Sequence, residues 1–442
     1  MTSTQHSDSG ESSAAFYHNR WFQLVFGIIC MALVANLQYA WTLFVPKIQD
    51  TFHWTRAAIQ VSFSIFIITE TWLVPVEGWL VDKFGPRPVI ALGAVLAALG
   101  WVLDSYATSL EAFYVAAVIS GVGAGCVYGT CVGNALKWFP DKRGLAAGLT
   151  AAGFGAGAAL TVIPIASMIQ TAGYTTAFFK FGIGQGVVIF IIAMLMVRPQ
   201  APKGVVASPR ISSCKVDYKM NQMLRTPVFW VIYALFVAVA AGGLIATAQI
   251  KPIANDYGFA KWTVNYFGEV LPLLTVVLSL DSLCNGFTRP LCGFISDRIG
   301  RENTMMLVFA GEGLALLGLM NYGHDATMFM VFAPMVFLFW GEIYSIFPAT
   351  CADTFGVKYA TGNAGALYTA KGTASLLVPL TALFVVKGDW NRVFIISAVL
   401  SFGAALAAKF ILQPMRHRFI ENSNKGLQEG AAAGNVPQTA AS

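Results

Sequence analysis

Gly78-Trp79-Leu80-Val81-Asp82-Lys83-Phe84-Gly85-Pro86-Arg87 closes one long apolar run, and Gly293-Phe294-Ile295-Ser296-Asp297-Arg298-Ile299-Gly300-Arg301 closes another, 215 residues further on. In both, a glycine is followed by an acid and a base four and five residues later, then by a second glycine and an arginine. The same charged turn after the same kind of run marks a chain built from two repeated halves.

Working outward, the runs before and after each turn have the length of membrane spans. The hydrocarbon core of a bilayer is about 30 Å thick and a helix rises about 1.5 Å per residue, so a span takes about 20 apolar residues. Counted that way, spans lie near 21–45, 57–81, 88–107, 112–136, 145–169 and 174–197, then near 228–250, 264–296, 304–322, 327–352, 363–386 and 391–413. The expected fold is an all-α membrane protein with twelve transmembrane helices in two pseudo-symmetric six-helix halves, 21–197 and 228–413. A polar linker, 198–227, divides them, and disordered tails, 1–20 and 414–442, flank them. Of 442 residues, 56% are hydrophobic and 11% charged. A water-soluble domain carries roughly 25% charged residues, so a soluble fold is excluded.

Lysine and arginine set the orientation. Of 28, 19 fall on the side that holds both ends and the linker and 6 on the other, with Arg392 and Lys409 at the ends of the last span counted with the sides they border. Lys180, Arg289 and Lys371 lie deeper inside spans. By the positive-inside rule both termini are cytoplasmic, and a bacterial inner membrane is the expected location. The net charge of +6 comes without a basic tract or stacking platform, which argues against nucleic acid. The seven cysteines form no CxxC pair and the five histidines fall in tails or short connections, so neither a metal site nor a cofactor is expected. No nucleophile–base pair suggests an enzyme. The polar start lacks the cationic and apolar regions of a signal peptide.

Arg289 and Lys371 stand out. A cation at mid-bilayer costs about 2.5–3.5 kcal/mol on insertion scales. Arg289 lies eight residues before Asp297, and Lys371 nine after Gly362. Both therefore sit roughly 12–14 Å from the cytoplasmic face, at matching depth in one half, as a site for anionic charge requires. The alternative is that each pairs with an internal acid. Asp281, Asn285 and Arg289 share one helix face at i, i+4 and i+8, Trp340 and Tyr344 share another, and Tyr368, Lys371 and Ser375 a third. Gln38, Tyr39 and Trp41 on span one and Tyr128 on span four add aromatic and amide groups suited to holding a small carboxylate. Glu342, two residues from Trp340, falls on the far side of that helix. Gly121, Gly125, Gly129 and Gly133 form a smooth stripe for close helix approach.

With its two charged turns, the chain resembles the major facilitator superfamily over residues 20 to 415, the first copy carrying Pro86 where arginine is usual. Within it, several stretches resemble the oxalate:formate antiporter family: Gln38 to Thr42, Asp82 to Arg87, Trp138 to Gly144, Leu224 to Trp230, Asn285 to Pro290, Trp340 to Pro348 and Ala370 to Ser375. The resemblance implies that Arg289 and Lys371 bind the substrate's carboxylates, with Gln38, Tyr39, Tyr128, Trp340 and Tyr344 around them. It implies that Asp82, Lys83, Arg87, Asp297, Arg298 and Arg301 gate the cytoplasmic side, while topology-setting charge accounts for Lys83, Arg87, Arg298 and Arg301 equally well. Tyr368 stands where the oxalate carrier has tryptophan, Glu70 and Asp281 where it has uncharged amides, Glu342 where it has a small residue, and Lys180 where it has an aromatic one. Glu70 and Asp281 are thus candidates for proton coupling or for simple charge pairing with lysine or arginine.

The expected function is secondary transport of small organic carboxylates by a monomer in the bilayer, by antiport of the oxalate:formate type. A proton-coupled monocarboxylate symporter and a non-transporting membrane sensor are the alternatives.

Overall fold

The computed structural model describes residues 19–199, 212–266, 269–377 and 389–432. The first expected span is broken into α1 (Arg20–Val34), α2 (Asn36–Tyr39) and α3 (Trp41–Phe52), and the second into α4 (Arg56–Trp72) and α5 (Val74–Phe84), bent by 41°. Then come α6 (Pro86–Tyr106), α7 (Leu110–Trp138), α8 (Arg143–Ala172) and α9 (Tyr174–Leu195). A short α10 (Met220–Met223) leads into α11 (Pro227–Asp256), and a hairpin of β1 (Thr263–Tyr266) and β2 (Glu269–Pro272) precedes α12 (Leu273–Ile299). The chain continues as α13 (Arg301–Tyr322), α14 (Ala326–Trp340), α15 (Ile343–Phe355), α16 (Ala360–Ser375), α17 (Asn391–Ala407) and, after a π turn, α18 (Gln413–Ala432). Thr55, Ser109, Thr226 and Asp325 each accept a backbone N–H from the first turn of the helix that follows, which satisfies donors the helix leaves open.

Among the described residues, eight helical stretches are long and apolar enough to cross a membrane, or nine if α4 and α5 make one span. Of the twelve expected, α8, α12 and α16 stand outside that count. α12 carries the Asp281–Asn285–Arg289 stripe, and α16 has only 16 residues. Two expectations are corrected. The eighth span begins at Leu273 rather than 264, because 263–272 pairs as an antiparallel hairpin with Thr263 opposite Pro272. The tail from 414 is helical as far as Ala432 rather than disordered.

The chain divides into two compact units, Met1–Pro140 with Gly153–Val205, and Asp141–Ala152 with Val206–Ser442. In the first unit α6 packs on α7 and α9, and α4 on α7. The glycine stripe of α7 makes this approach possible: a methyl on Gly121 would come within 2.7 Å of the Phe66 carbonyl oxygen, and one on Gly125 within 2.9 Å of that of Glu70. In the second unit α13 packs on α14 and α17, α12 on α14, and α11 on α16. Both charged turns end on a glycine in the left-handed region, Gly85 at φ +89° and Gly300 at φ +95°, where a side chain is strained.

The second unit is fastened to the segment 212–218 and to the start of α13 by α18. Arg416 pairs with Glu302, and its Nη1 donates to the Ser212 carbonyl at 3.2 Å. Lys215 N–H donates to Asn424 Oδ1 at 2.8 Å, and Tyr218 Oη lies 2.8 Å from Ser423 Oγ.

Candidate functional site

In the second unit, α12 and α16 bring the two intramembrane cations to one aromatic ring. Arg289 is 4% exposed; its Nε and Nη2 donate to Asn285 Oδ1 at 3.1 and 2.8 Å, one turn back on α12, and its Nη1 to the Ala151 carbonyl at 2.8 Å. Its guanidinium carbon lies 4.7 Å from the centre of the Tyr344 ring. Lys371 is 7% exposed, donates to Tyr368 Oη at 3.0 Å, and lies 5.8 Å from the centre of the same Tyr344 ring. Trp340, Tyr344 and Tyr368 meet edge to face, with centroids 5.7 and 6.3 Å apart. Cations within about 6 Å of an aromatic centroid are attracted by its quadrupole, so the ring partly offsets their mutual repulsion.

The alternative reading, an internal acid paired with Arg289, finds no ion pair among the described residues. The donors of Arg289 go to an amide and a backbone carbonyl, both neutral, and no carboxylate pairs with it within 4.0 Å. Asp281 is buried two turns away with neither oxygen hydrogen-bonded. The predicted stripe is thus physical for Asn285 and Arg289, which are bonded, while Asp281 stands apart.

In the first unit, Tyr39 and Tyr128 both meet Phe154 edge-on, at 5.6 and 5.4 Å between centroids. The oxygen of Gln38 is buried without a donor. Trp41 is not grouped with them. It packs against Phe113 and Phe178, which with Phe44 and Trp101 form an aromatic core; two residues past Tyr39, its side chain emerges on the opposite side of the chain. Glu70 is fully buried.

The charged turns are engaged differently in each unit. In the first, Asp82 Oδ1 lies 2.6 Å from Lys137 Nζ, Arg87 Nε donates to the Met196 carbonyl at 3.3 Å, and Lys83 sits over the rings of Trp79 and Phe84. In the second, Asp297 accepts the backbone N–H groups of Gly144 and Leu145 at 3.1 and 3.0 Å, capping the open donors at the start of α8. Arg301 bridges Asp297 at 2.7 Å and Asp353 at 2.8 Å, and Arg143 also pairs with Asp353. Arg298 turns outward onto Phe294 at 4.0 Å. These contacts explain why residues 141–152 belong to the second unit.

Sequence reasoning missed Lys137 and Asp353 in these networks, and the buried acids Glu77, Asp104 and Glu312. Tallying acids inside spans as the cations were tallied finds the last three. Among the described residues no group of three or more His, Cys, Asp or Glu is arranged to hold a metal.

The profile of the Major Facilitator Superfamily matches residues 24–379, and again 253–437. The chain belongs to that superfamily, and it is accordingly an integral membrane transporter and not an enzyme. It is 35% identical over 406 residues to the oxalate:formate antiporter of Oxalobacter formigenes, covering 91% of this chain and 94% of that one. It is 22% identical over 414 residues to the probable sulfoacetate transporter SauU of Cupriavidus necator, covering 88% and 93%. The solved structure of the proton:xylose symporter XylE superposes with a TM-score of 0.65 at 11% identity, covering 89% of this chain and 96% of that one, a likeness of fold.

Proposed function

We propose that the protein exchanges small carboxylate anions across a bacterial inner membrane by alternating access, as an antiporter of the oxalate:formate type. Arg289 and Lys371 hold the substrate's carboxylate groups, and Asn285, Trp340, Tyr344 and Tyr368 orient them. Gln38, Tyr39 and Tyr128 are assigned to substrate binding on the strength of the resemblance. The Asp82 and Asp297 turns latch the cytoplasmic side, both termini are cytoplasmic, and a monomer suffices.

The observation that carries this reading is the convergence of two buried cations from α12 and α16 on the single ring of Tyr344. Removing a cation from water is costly unless a counter-charge arrives with it. An empty carrier therefore resists enclosing its site, and a bound anion lifts that penalty, so exchange outruns net flux. The 35% identity to an oxalate:formate antiporter over most of both chains supports the same substrate class.

Proteoliposomes loaded with labelled oxalate test it. Efflux is expected to be fast when formate or oxalate is present outside and slow when it is absent; equal rates reject the antiport reading. Arg289→Gln and Lys371→Gln are each expected to abolish transport while the protein still inserts, and full activity in either removes that residue from the site.

A second reading is proton-coupled monocarboxylate symport with Glu70 or Asp281 carrying the proton, and it draws on Asp281, buried without a hydrogen bond on the Arg289 helix. Uptake insensitive to an imposed pH gradient dismisses it.

A further inference from the structure

Two buried carboxyl groups of the second unit have no part in the site described above. Glu342 stands at the break between α14 and α15 with 0% of its surface exposed, and neither of its oxygens accepts a hydrogen bond from another residue. Glu312 on α13 is equally buried. Its Oε2 accepts from Ser401 Oγ of α17 at 3.1 Å, while its Oε1 has no donor and borders Gly242 of α11, where an added Cβ would meet it at 2.9 Å. Gly341 presses the Glu342 backbone against the Arg289 helix. A Cβ at Gly341 would lie 2.6 Å from the Asn285 carbonyl oxygen and 2.9 Å from Asn285 Oδ1, the atom that holds the guanidinium. Gly341, the chain neighbour of Glu342, thus lies against the turn of α12 that carries Asn285 and Arg289.

We propose that Glu342 is an exchangeable proton site, backed by Glu312, whose loading sets how much of the Arg289 charge is open to a carboxylate anion. The proposal rests on the carboxylate reading given above. Ionised, Glu342 supplies part of the negative charge that Arg289 demands and competes with the anion. Protonated, it leaves the guanidinium to the substrate. Each anion that binds thus favours uptake of one proton by the Glu342 carboxylate, and the proton favours the anion by the same factor. The Glu342 O–H bond forms as the O–H or N–H bond of a hydronium ion or buffer acid in the surrounding water breaks, and no other bond changes.

The groups around Glu342 are Arg289 and Cys292 from α12, Glu312 from α13 and Tyr344 on its own helix. Lys371 and Tyr368 of α16 lie beyond the Tyr344 ring, and Asp281 lies two turns along α12. Glu312 in turn faces Gly242 of α11 and Ser401 of α17.

The test uses the full-length protein and titrates oxalate and formate calorimetrically between about pH 5 and 8, in buffers of different ionisation enthalpy. Wild type is expected to lose up to about tenfold in affinity per pH unit where Glu342 titrates and to take up a proton on binding. Glu342→Gln is expected to bind at the tight limit throughout, without proton uptake. Should that variant not fold, Glu342→Asp is expected to move the pH at which affinity changes. An infrared band from a protonated buried carboxyl that grows on anion binding at the pH where affinity changes, and that is absent from Glu342→Gln, reads the proton site directly. Anion binding that is flat with pH, or a slope unchanged in either variant, overturns the proposal and leaves the carboxylate reading standing. No binding of either anion at any pH overturns that reading and the linkage together, whether or not the band is present.

Discussion

The guanidinium of Arg289 is held by two bonds to a single oxygen, Asn285 Oδ1. A hydrogen bond to a charged group is worth about 1.5–3 kcal/mol, so Asn285→Ala is expected to weaken oxalate binding roughly ten- to hundredfold, measured by calorimetry. An unchanged affinity means the amide is packing rather than orientation. Arg289→Lys keeps the charge but loses the planar fork that bonds Asn285 and Ala151 at once, and it is expected to transport far more slowly than wild type. Tyr344 tests a different property, since one ring faces both cations. Tyr344→Leu removes the attraction of its face, about 0.5–2 kcal/mol per cation, and is expected to lower thermal stability in the absence of anion more than in its presence.

At the scale of helices, Gly121→Leu is expected to destabilise the protein by about 1–3 kcal/mol through overpacking, read as a lowered unfolding temperature, because α4 occupies the space any side chain would need. Much of this level was legible. Runs of apolar residues fixed most helices, the repeated turn revealed the halves, and i, i+4 spacing found the Asn285–Arg289 pair and the Trp340–Tyr344 contact. The hairpin at 263–272 was not legible, because Val264, Val270 and Leu271 prolong the apolar run of α12 and a short apolar stretch suits strand or helix alike. The cation pair and its flanking rings emerged because charge in an apolar run is conspicuous. Trp41 packs apart from Tyr39 because neighbouring residues of a broken helix point to different sides. Asp353 was invisible for another reason: its partners Arg143 and Arg301 lie 210 and 52 residues away, and such pairings come from tertiary packing alone.

At the scale of the molecule, Asp297 caps α8 and Arg301 joins it to Asp353 in a buried network of charges. Breaking a buried ion pair by removing one partner costs about 3–5 kcal/mol. Arg416→Ala, which strands Glu302, is therefore expected to lower the unfolding temperature by several degrees, and Arg416→Ala with Glu302→Gln to recover part of the loss. The stitching of α18 to residues 212–218 also governs how the protein tolerates handling. A purification tag fused after Ser442 leaves the bonds of Arg416, Ser423 and Asn424 intact. A protease site engineered ahead of Asn424 severs the seam that pins the linker down, so digestion there is predicted to loosen the segment around Lys215 while the transmembrane bundle stays whole.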